Sequence, residues 1–172
     1  MSLFDQGITS FAVFEDANEF VGMAQVVLPN LAAVTQELKG AGLAGSIEAI
    51  YPGQFQAMTM SMNFNSPSKQ SLKLATPVRH TLELRLAVQT EDTVEGTVGT
   101  QAQKHVVVVV PKTYTGGTVA PASTTGGSGE YAVRYWACYI DGEKYLEIDP
   151  MNFIGVIDGV DYLADVRTAL GK

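Results

Sequence analysis

Alternation of apolar and polar residues with a period of two is the feature that most constrains this chain. Residues 80–89 place an aliphatic side chain at every second position, namely Leu82, Leu84, Leu86 and Val88. Residues 53–64 repeat the pattern with Met58, Met60, Met62 and Phe64. Successive side chains of a strand point to opposite faces, so each segment predicts a strand with one buried face. Further strands are expected near residues 10–15, 19–28, 102–111 and 131–149.

Two short segments are expected to be helical. Ser66 followed by Pro67 fits an N-cap with proline at the first helical position, which predicts a helix over residues 67–75 that stops before Pro77. Between Val160 and Leu170, apolar side chains at i, i+3 and i+7 predict a C-terminal helix. The expected fold class is therefore mainly β, with one short internal helix and one short C-terminal helix.

Two glycine-rich segments are expected to lack regular structure. Residues 113–129 are rich in Gly, Ser and Thr and predict a flexible surface loop. Residues 36–53 combine four glycines with more large apolar side chains than a solvated loop should expose. These side chains are Leu38, Leu43, Ile47, Ile50 and Tyr51. Their exposure would indicate a surface that binds a partner.

Length and composition favour one globular domain spanning residues 1–172, since 46% of the residues are hydrophobic. The longest apolar run is the five valines at 106–110, whereas a membrane helix needs about 20 apolar residues. The N-terminus lacks the basic and apolar regions of a signal peptide, so export by the general secretory route is not expected. A net charge of −7 argues against a protein that grips nucleic acid.

Four carboxylates lie close together in residues 139–149, namely Asp141, Glu143, Glu147 and Asp149. Acids at such spacing occur in glycosidases and in metal sites. The Asp141-Gly142 pair, however, is typical of a type I′ hairpin turn. Pairing outward from that turn sets Trp136 against Glu147 and Arg134 against Asp149. The acids are then expected on a solvated outer face, with an ion pair between Arg134 and Asp149, rather than in a catalytic pair.

Other reactive groups are sparse. The two histidines, His80 and His105, have no ligand partner at metal-binding spacing, and the single cysteine, Cys138, lies in an apolar strand. No GxSxG motif occurs, and the glycines of residues 39–46 are not followed by the GK[ST] of a phosphate loop. The sequence therefore predicts no catalytic residue, metal or cofactor, and the chain is not expected to be an enzyme.

Three blocks of the sequence carry a family resemblance. They are LPNL at 28–31, ELKGAGLAGS at 37–46 and YIDGEKYLEIDPMNFIGVIDGVDYLADVRTALG at 139–171. In order and spacing they resemble the major tail tube protein of contractile-tailed bacteriophages and phage-derived tailocins. The C-terminal block is the most specific, because an acidic hairpin, an I-D-x-x-N segment, a G-V-D turn and a terminal helix occur together. Residues 90–130 resemble the family poorly.

The resemblance implies a β-barrel or sandwich protomer that forms hexameric rings, which stack into a hollow tube. In that family the tube lies inside a contractile sheath, penetrates the target cell envelope and, in phages, conducts DNA without specific binding. The implied partners are the tail sheath, baseplate and tape measure proteins. The implied location is a virion tail or tailocin particle, assembled in the bacterial cytoplasm without a membrane anchor.

Residue roles follow from placing the predicted surfaces in such a tube. The apolar segment 36–53 is expected to reach the adjacent ring and to become fully ordered only there. The polar faces of two predicted strands are expected to line the lumen. Their residues are Ala57, Thr59, Ser61, Asn63, Thr81, Glu83, Arg85 and Gln89. Two alternatives remain open: a tube-fold protein of a type VI secretion or extracellular injection machine, and a β-fold enzyme that uses the acids between Asp141 and Asp149.

Overall fold

The computed structural model describes residues 2–20 and 23–172. Its strands are β1 (Leu3–Glu15), β2 (Asn18–Phe20), β3 (Met23–Val27), β4 (Ala33–Lys39), β5 (Ser46–Phe55), β6 (Met58–Phe64), β7 (His80–Asp92), β8 (Val98–Thr115), β9 (Ser128–Ile140), β10 (Glu143–Asp149), β11 (Ile154–Ile157) and β12 (Val160–Asp161). The helices are α1 (Lys69–Leu74), a 3-10 turn (Pro150–Asn152) and α2 (Ala164–Leu170). The mainly β fold class is confirmed. The strand predicted near residues 19–28 falls on β2 and β3, and its residues 21 and 22 lie outside the described part of the chain.

Ten of the described strands form one antiparallel sheet around the core. The main path runs β12, β11, β10, β9, β8, β7, β1, β2. Strand β9 is long enough to carry two partners along one edge, with β6 paired to residues 128–133 and β10 to residues 136–140. Strand β3 pairs with the other side of β6. The ribbon formed by β4 and β5 is a separate sheet.

The alternation in β6 and β7 is confirmed, and it places the core on one face of the sheet. The methionines of β6 and the leucines of β7 are buried, while the residues between them are exposed or partly exposed. The predicted strand at 53–64 is in fact interrupted, because residues 53–55 end β5 and β6 begins at Met58.

The sheet curls, which brings strand β3 close to strand β1. An apolar cleft of about 470 Å³ separates the two strands, lined by Ile8 and Phe11 on one side and Val26 on the other. No hydrogen-bonded pairing joins β1 to β3 in the described ranges. The protomer is therefore an open barrel with a seam at this cleft.

Helix α1 begins later than the sequence predicts. Its N-cap is Ser68, whose side chain accepts a hydrogen bond from the Ser71 backbone, and the Ser71 hydroxyl accepts one from the Ser68 backbone in return. This reciprocal capping box satisfies two amide groups that a cap at Ser66 would leave open. Pro67 consequently precedes the cap instead of occupying the first helical position.

The C-terminal helix is also shorter than predicted. Residues 160–161 form strand β12, which pairs with β11 after a turn at Asp158 and Gly159, and α2 begins only at Ala164. Both turn residues have positive φ, 52° and 75°. Two successive residues with positive φ form a turn that joins antiparallel strands. The residues directly after this turn therefore form a strand instead of the first turn of a helix.

The two segments expected to be irregular are partly strand. Residues 113–115 extend β8 and residues 128–129 begin β9, so the irregular connection is limited to residues 116–127. The prediction for residues 36–53 is wrong, because this segment is the β4–β5 hairpin with a short tip at residues 40–45. Its glycines lie in that tip and at Gly53 near the end of β5. Leu38 pairs with Ile47 across the two strands, and Ile50 and Tyr51 also pair with β4, whereas Leu43 lies in the tip.

Candidate assembly surfaces

The acidic hairpin has the predicted turn but a different register. Asp141 and Gly142 have φ of 50° and 85°, as a type I′ turn requires. Tyr145 bulges out of β10, so Leu146 pairs with Cys138 and Glu147 pairs with Ala137. The predicted pairing of Glu147 with Trp136 is therefore wrong. A bulge adds one unpaired residue, which reverses the face of every residue beyond it.

The shift places Trp136 in the core. Its partner in β10 is Ile148, which is also buried. A second bulge, at Arg134 in the pairing of β9 with β8, allows both Val133 and Trp136 to face the core. The indole nitrogen of Trp136 donates to Nδ1 of His105 over 3.2 Å. Burial lowers the pKa of His105 below its ordinary value. The neutral ring is the form that can accept this hydrogen bond.

Each of the four hairpin acids has a structural partner. Asp141 accepts a hydrogen bond from the backbone of Ala102 over 3.3 Å, and Glu143 accepts one from the Tyr145 hydroxyl over 3.2 Å. Glu147 pairs with Lys144, and that hydrogen bond raises the pKa of the ammonium group. These contacts hold the hairpin in shape. Because the bulge places Glu143 and Glu147 on opposite faces of β10, the single outer face predicted for the acids is wrong, although Asp141 and Glu143 are exposed and Glu147 is partly exposed.

Asp149 caps the following turn, so its predicted ion pair with Arg134 is wrong. Its Oδ1 accepts from the amides of Met151 and Asn152 over 3.1 and 3.2 Å. Within residues 2–20 and 23–172, Arg134 makes no ion pair. The bulge at Tyr145 moves Asp149 out of register with Arg134, and the unpaired amides of the 3-10 turn provide it with closer donors.

The predicted lumen residues share the face of the sheet that points away from the core. Thr59, Thr81 and Arg85 are exposed there, and Ser61, Asn63, Glu83 and Gln89 are partly exposed. Ala57 is exposed but precedes β6. Strand register extends this face into rows, since directly paired residues lie on the same side of a sheet.

Two of these rows carry opposite charge. One row runs through Glu83, Val106, Ala137 and Glu147. The neighbouring row runs through Arg85, Lys104, Tyr139 and Lys144. The ammonium groups of Lys104 and Lys144 lie 4.7 and 5.6 Å from the centroid of the Tyr139 ring. The face is therefore mixed in charge, not uniformly acidic.

The β4–β5 hairpin exposes the apolar residues singled out in the sequence. Leu38, Leu43, Ile47, Ile50 and Tyr51 are between 39% and 62% exposed. An isolated two-stranded ribbon is marginally stable in water. Within residues 2–20 and 23–172, no further strand pairs with either edge of this ribbon. Such a ribbon is expected to gain stability from a second surface.

The base of this hairpin is fixed to the rest of the protein by a close backbone contact. A Cβ atom on Gly155 would lie 2.9 Å from the carbonyl oxygen of Gly53, and one on Gly53 would lie 2.9 Å from Cγ of Leu163. Leu163, just before α2, is buried. The contact holds the base against β11 and α2, while the tip at residues 40–45 is exposed.

Two polar contacts that the sequence did not reveal fix other elements. In the buried pair Glu15 and His80, Oε1 and Nδ1 are 2.6 Å apart, and Nε2 of His80 lies 3.0 Å from the Thr76 carbonyl. At the C-terminus, Arg167 donates to Asp161, which lowers the pKa of that carboxyl, and to the Phe153 carbonyl over 2.6 Å. Both pairs join residues that neither spacing nor periodicity could relate.

Metal-binding and membrane-spanning features are considered for residues 2–20 and 23–172, the part of the chain that the structure describes. No group of three or more His, Cys, Asp and Glu side chains there is arranged to hold a metal ion. None of the helices described is long and apolar enough to span a membrane.

Comparison with known proteins identifies a family and several solved structures of similar fold. The family described as Phage tail tube protein FII matches residues 5–171. The chain is similar in fold to a chain from the sheath/tube terminator of the PVC extracellular contractile injection system in the extended state, with a TM-score of 0.53, 9% identity and coverage of 76% of this chain and 94% of that one. It is also similar to a chain of the PVC sheath-tube complex in the extended state, with a TM-score of 0.51, 11% identity and coverage of 75% and 87%. No curated protein sequence matches the chain.

Proposed function

The chain belongs to the phage tail tube protein FII family and is a structural tube subunit, and we propose that six copies form a ring and that rings stack into a hollow tube. The observation that carries this proposal is the family match, which spans the first strand and the C-terminal helix alike. The whole chain then acts as one tube domain, with the connection at residues 116–127 on its surface.

The β4–β5 hairpin is the proposed stacking element. It has a fixed base at Gly53, an exposed tip at residues 40–45 and apolar side chains that the protomer leaves in solvent. Burying two of these side chains against the next ring would contribute about 3–6 kcal/mol per subunit before any ordering cost. Because the hairpin is already paired within one chain, that ordering cost is smaller than for an irregular loop.

The polar outer face of β6 and β7 is the proposed lumen wall. The row that contains Glu83 and Glu147 would repel phosphate, while the row that contains Arg85 and Lys104 would attract it. Six copies of each row would give adjacent rings of opposite charge. A mixed wall of this kind favours passage of a polyanion without tight binding.

The proposed setting is a contractile particle with a sheath outside the tube. This is supported by the fold likeness to chains from PVC sheath/tube assemblies. Baseplate and tape measure proteins complete the proposed set of partners, and assembly would take place in the bacterial cytoplasm. The two candidate settings are a phage tail and an injection machine. The contents of the lumen distinguish them, since only a phage tail conducts a genome.

A double substitution tests the stacking role of the hairpin. Leu43→Ser with Ile47→Ser removes two exposed apolar side chains and should leave a folded protomer that no longer extends into tubes, as seen by electron microscopy. The control is Val119→Ser with Met151→Ser, which removes apolar side chains that are 92% and 75% exposed outside the hairpin. Tubes of normal length from the hairpin variant would contradict the stacking role.

A further inference from the structure

Charge is distributed unevenly between the two ends of β7. Residues 65–82, which include α1 and the start of β7, contain Lys69, Lys73 and Arg79 and no acidic residue. Residues 86–103, which include the β7–β8 turn, contain Glu91, Asp92 and Glu95 and no Lys or Arg. Residues 65–82 thus hold three of the 11 Lys and Arg residues of the chain, and residues 86–103 hold three of its 18 Asp and Glu residues.

The two segments lie far apart in the protomer. The basic segment joins β7 at His80, and the acidic turn follows β7 at Asp92. Thirteen residues of strand separate them, a span of about 40 Å. At this distance the two charge clusters are screened from each other at physiological ionic strength. They do not stabilise one protomer by mutual attraction.

Both ends also expose apolar side chains beside the charges. At the acidic end, Val94 is 84% exposed and Val98 is 63% exposed. At the basic end, Leu72 and Val78 are 54% and 51% exposed. An apolar patch rimmed by charge is typical of a protein interface.

The charges at each end are available to a partner. In the described part of the chain, Lys69 and Arg79 make no ion pair, whereas Lys73 lies 3.8 Å from the buried Glu15. At the acidic end neither Glu91 nor Glu95 makes an ion pair in the described residues, although the Gln6 amide donates a hydrogen bond to Glu91. Asp92 accepts from the Val94 amide over 2.8 Å and so holds the turn in shape.

We propose that the acidic β7–β8 turn of one copy of this chain docks on the basic α1 segment of the next copy. Charge complementarity selects this arrangement, because two acidic ends or two basic ends would repel. The contact is head-to-tail, so it uses two different surfaces of each protomer and can repeat along an assembly. This inference rests on the proposed tube assembly and adds a contact that does not involve the β4–β5 hairpin.

Charge reversal on the full-length chain tests the contact. Glu91→Lys with Glu95→Lys alters the acidic end and leaves the turn-capping Asp92 in place. Lys69→Glu with Arg79→Glu alters the basic end and leaves Lys73 beside Glu15. Each double variant should raise the concentration needed for assembly at least about tenfold at low salt, measured by sedimentation. The variant with all four changes should recover assembly, because the two ends are again complementary.

A control matched to the acidic-end variant makes the same change in net charge elsewhere on the chain. Glu143→Lys with Asp165→Lys reverses two exposed acids at neither end of β7 and should assemble as the wild type does. Assembly of both end variants at the wild-type concentration, or no recovery in the fourfold variant, would overturn the head-to-tail contact alone. A wild-type chain that does not associate at any salt concentration would overturn both this contact and the proposed tube.

Discussion

Gly53 and Gly155 meet so closely that a side chain on Gly155 would collide with the Gly53 carbonyl oxygen, 2.9 Å away. The contact joins β5 to β11 and fixes the base of an otherwise isolated ribbon. A local sequence pattern does not reveal it, because the two glycines belong to strands far apart in the chain. The direction in which the proposed stacking hairpin projects therefore depends on this pair.

Gly155→Ala is expected to destabilise the protein by about 1–3 kcal/mol, because the added methyl group has no room beside the Gly53 backbone. Chemical denaturation measures the loss, and limited proteolysis should cut the hairpin faster in the variant. Gly40→Ala is the control, since a Cβ there meets nothing within 4 Å. Equal stability of Gly155→Ala and wild type would show that the base is not fixed in this way.

Asp149→Ala is expected to cost about 0.5–2 kcal/mol, because the amides of the 3-10 turn lose their cap. Asp149→Asn should retain nearly all of the stability, since an amide oxygen caps almost as well as a carboxylate. Thermal unfolding of the two variants separates capping from charge. An Asn variant that loses as much stability as the Ala variant would contradict the capping role. An equal loss in Arg134→Ala would instead support the ion pair between Arg134 and Asp149.

The stability of the protein is expected to fall as pH decreases from 6.5 through the lowered pKa of His105. Burial lowers the pKa of this ring in the folded state. As pH falls, the unfolded chain therefore binds the proton at a higher pH than the folded chain does, which stabilises the unfolded state. His105→Gln keeps an acceptor for the Trp136 indole and removes the titration. Urea denaturation between pH 7.5 and 5 should give a shallower decline in the variant. An identical decline in both proteins would show that His105 does not contribute.

The sequence predicted those parts of the fold that are encoded by local alternation. The buried face of β6 and β7 follows from every second residue, and the turn at Asp141 follows from a dipeptide. The register of β10 was not predictable in the same way, because the bulge at Tyr145 is stabilised by the packing of Trp136 on Ile148 in the assembled core. The periodicity of one strand does not reveal a bulge, because the bulge is defined by the pairing with the neighbouring strand.

The sequence indicated which residues form the candidate surfaces but not how those residues are arranged in space. The apolar residues of segment 36–53 indicated a partner surface, yet its glycines favoured a loop over the hairpin that forms. The charge rows on the outer face needed the register of four strands before Arg85 and Lys104 could be placed beside each other. Cross-strand neighbours of this kind depend on topology rather than on spacing.

A cryo-electron microscopy reconstruction of the polymer formed by the full-length chain tests the central claim most directly. We expect rings of six subunits stacked around an open channel, with Glu83 and Arg85 facing the channel and Leu43 buried against the next ring. A map with a solid fibre, with another number of subunits per ring, or with Glu83 and Arg85 on the outer surface of the tube would contradict this account.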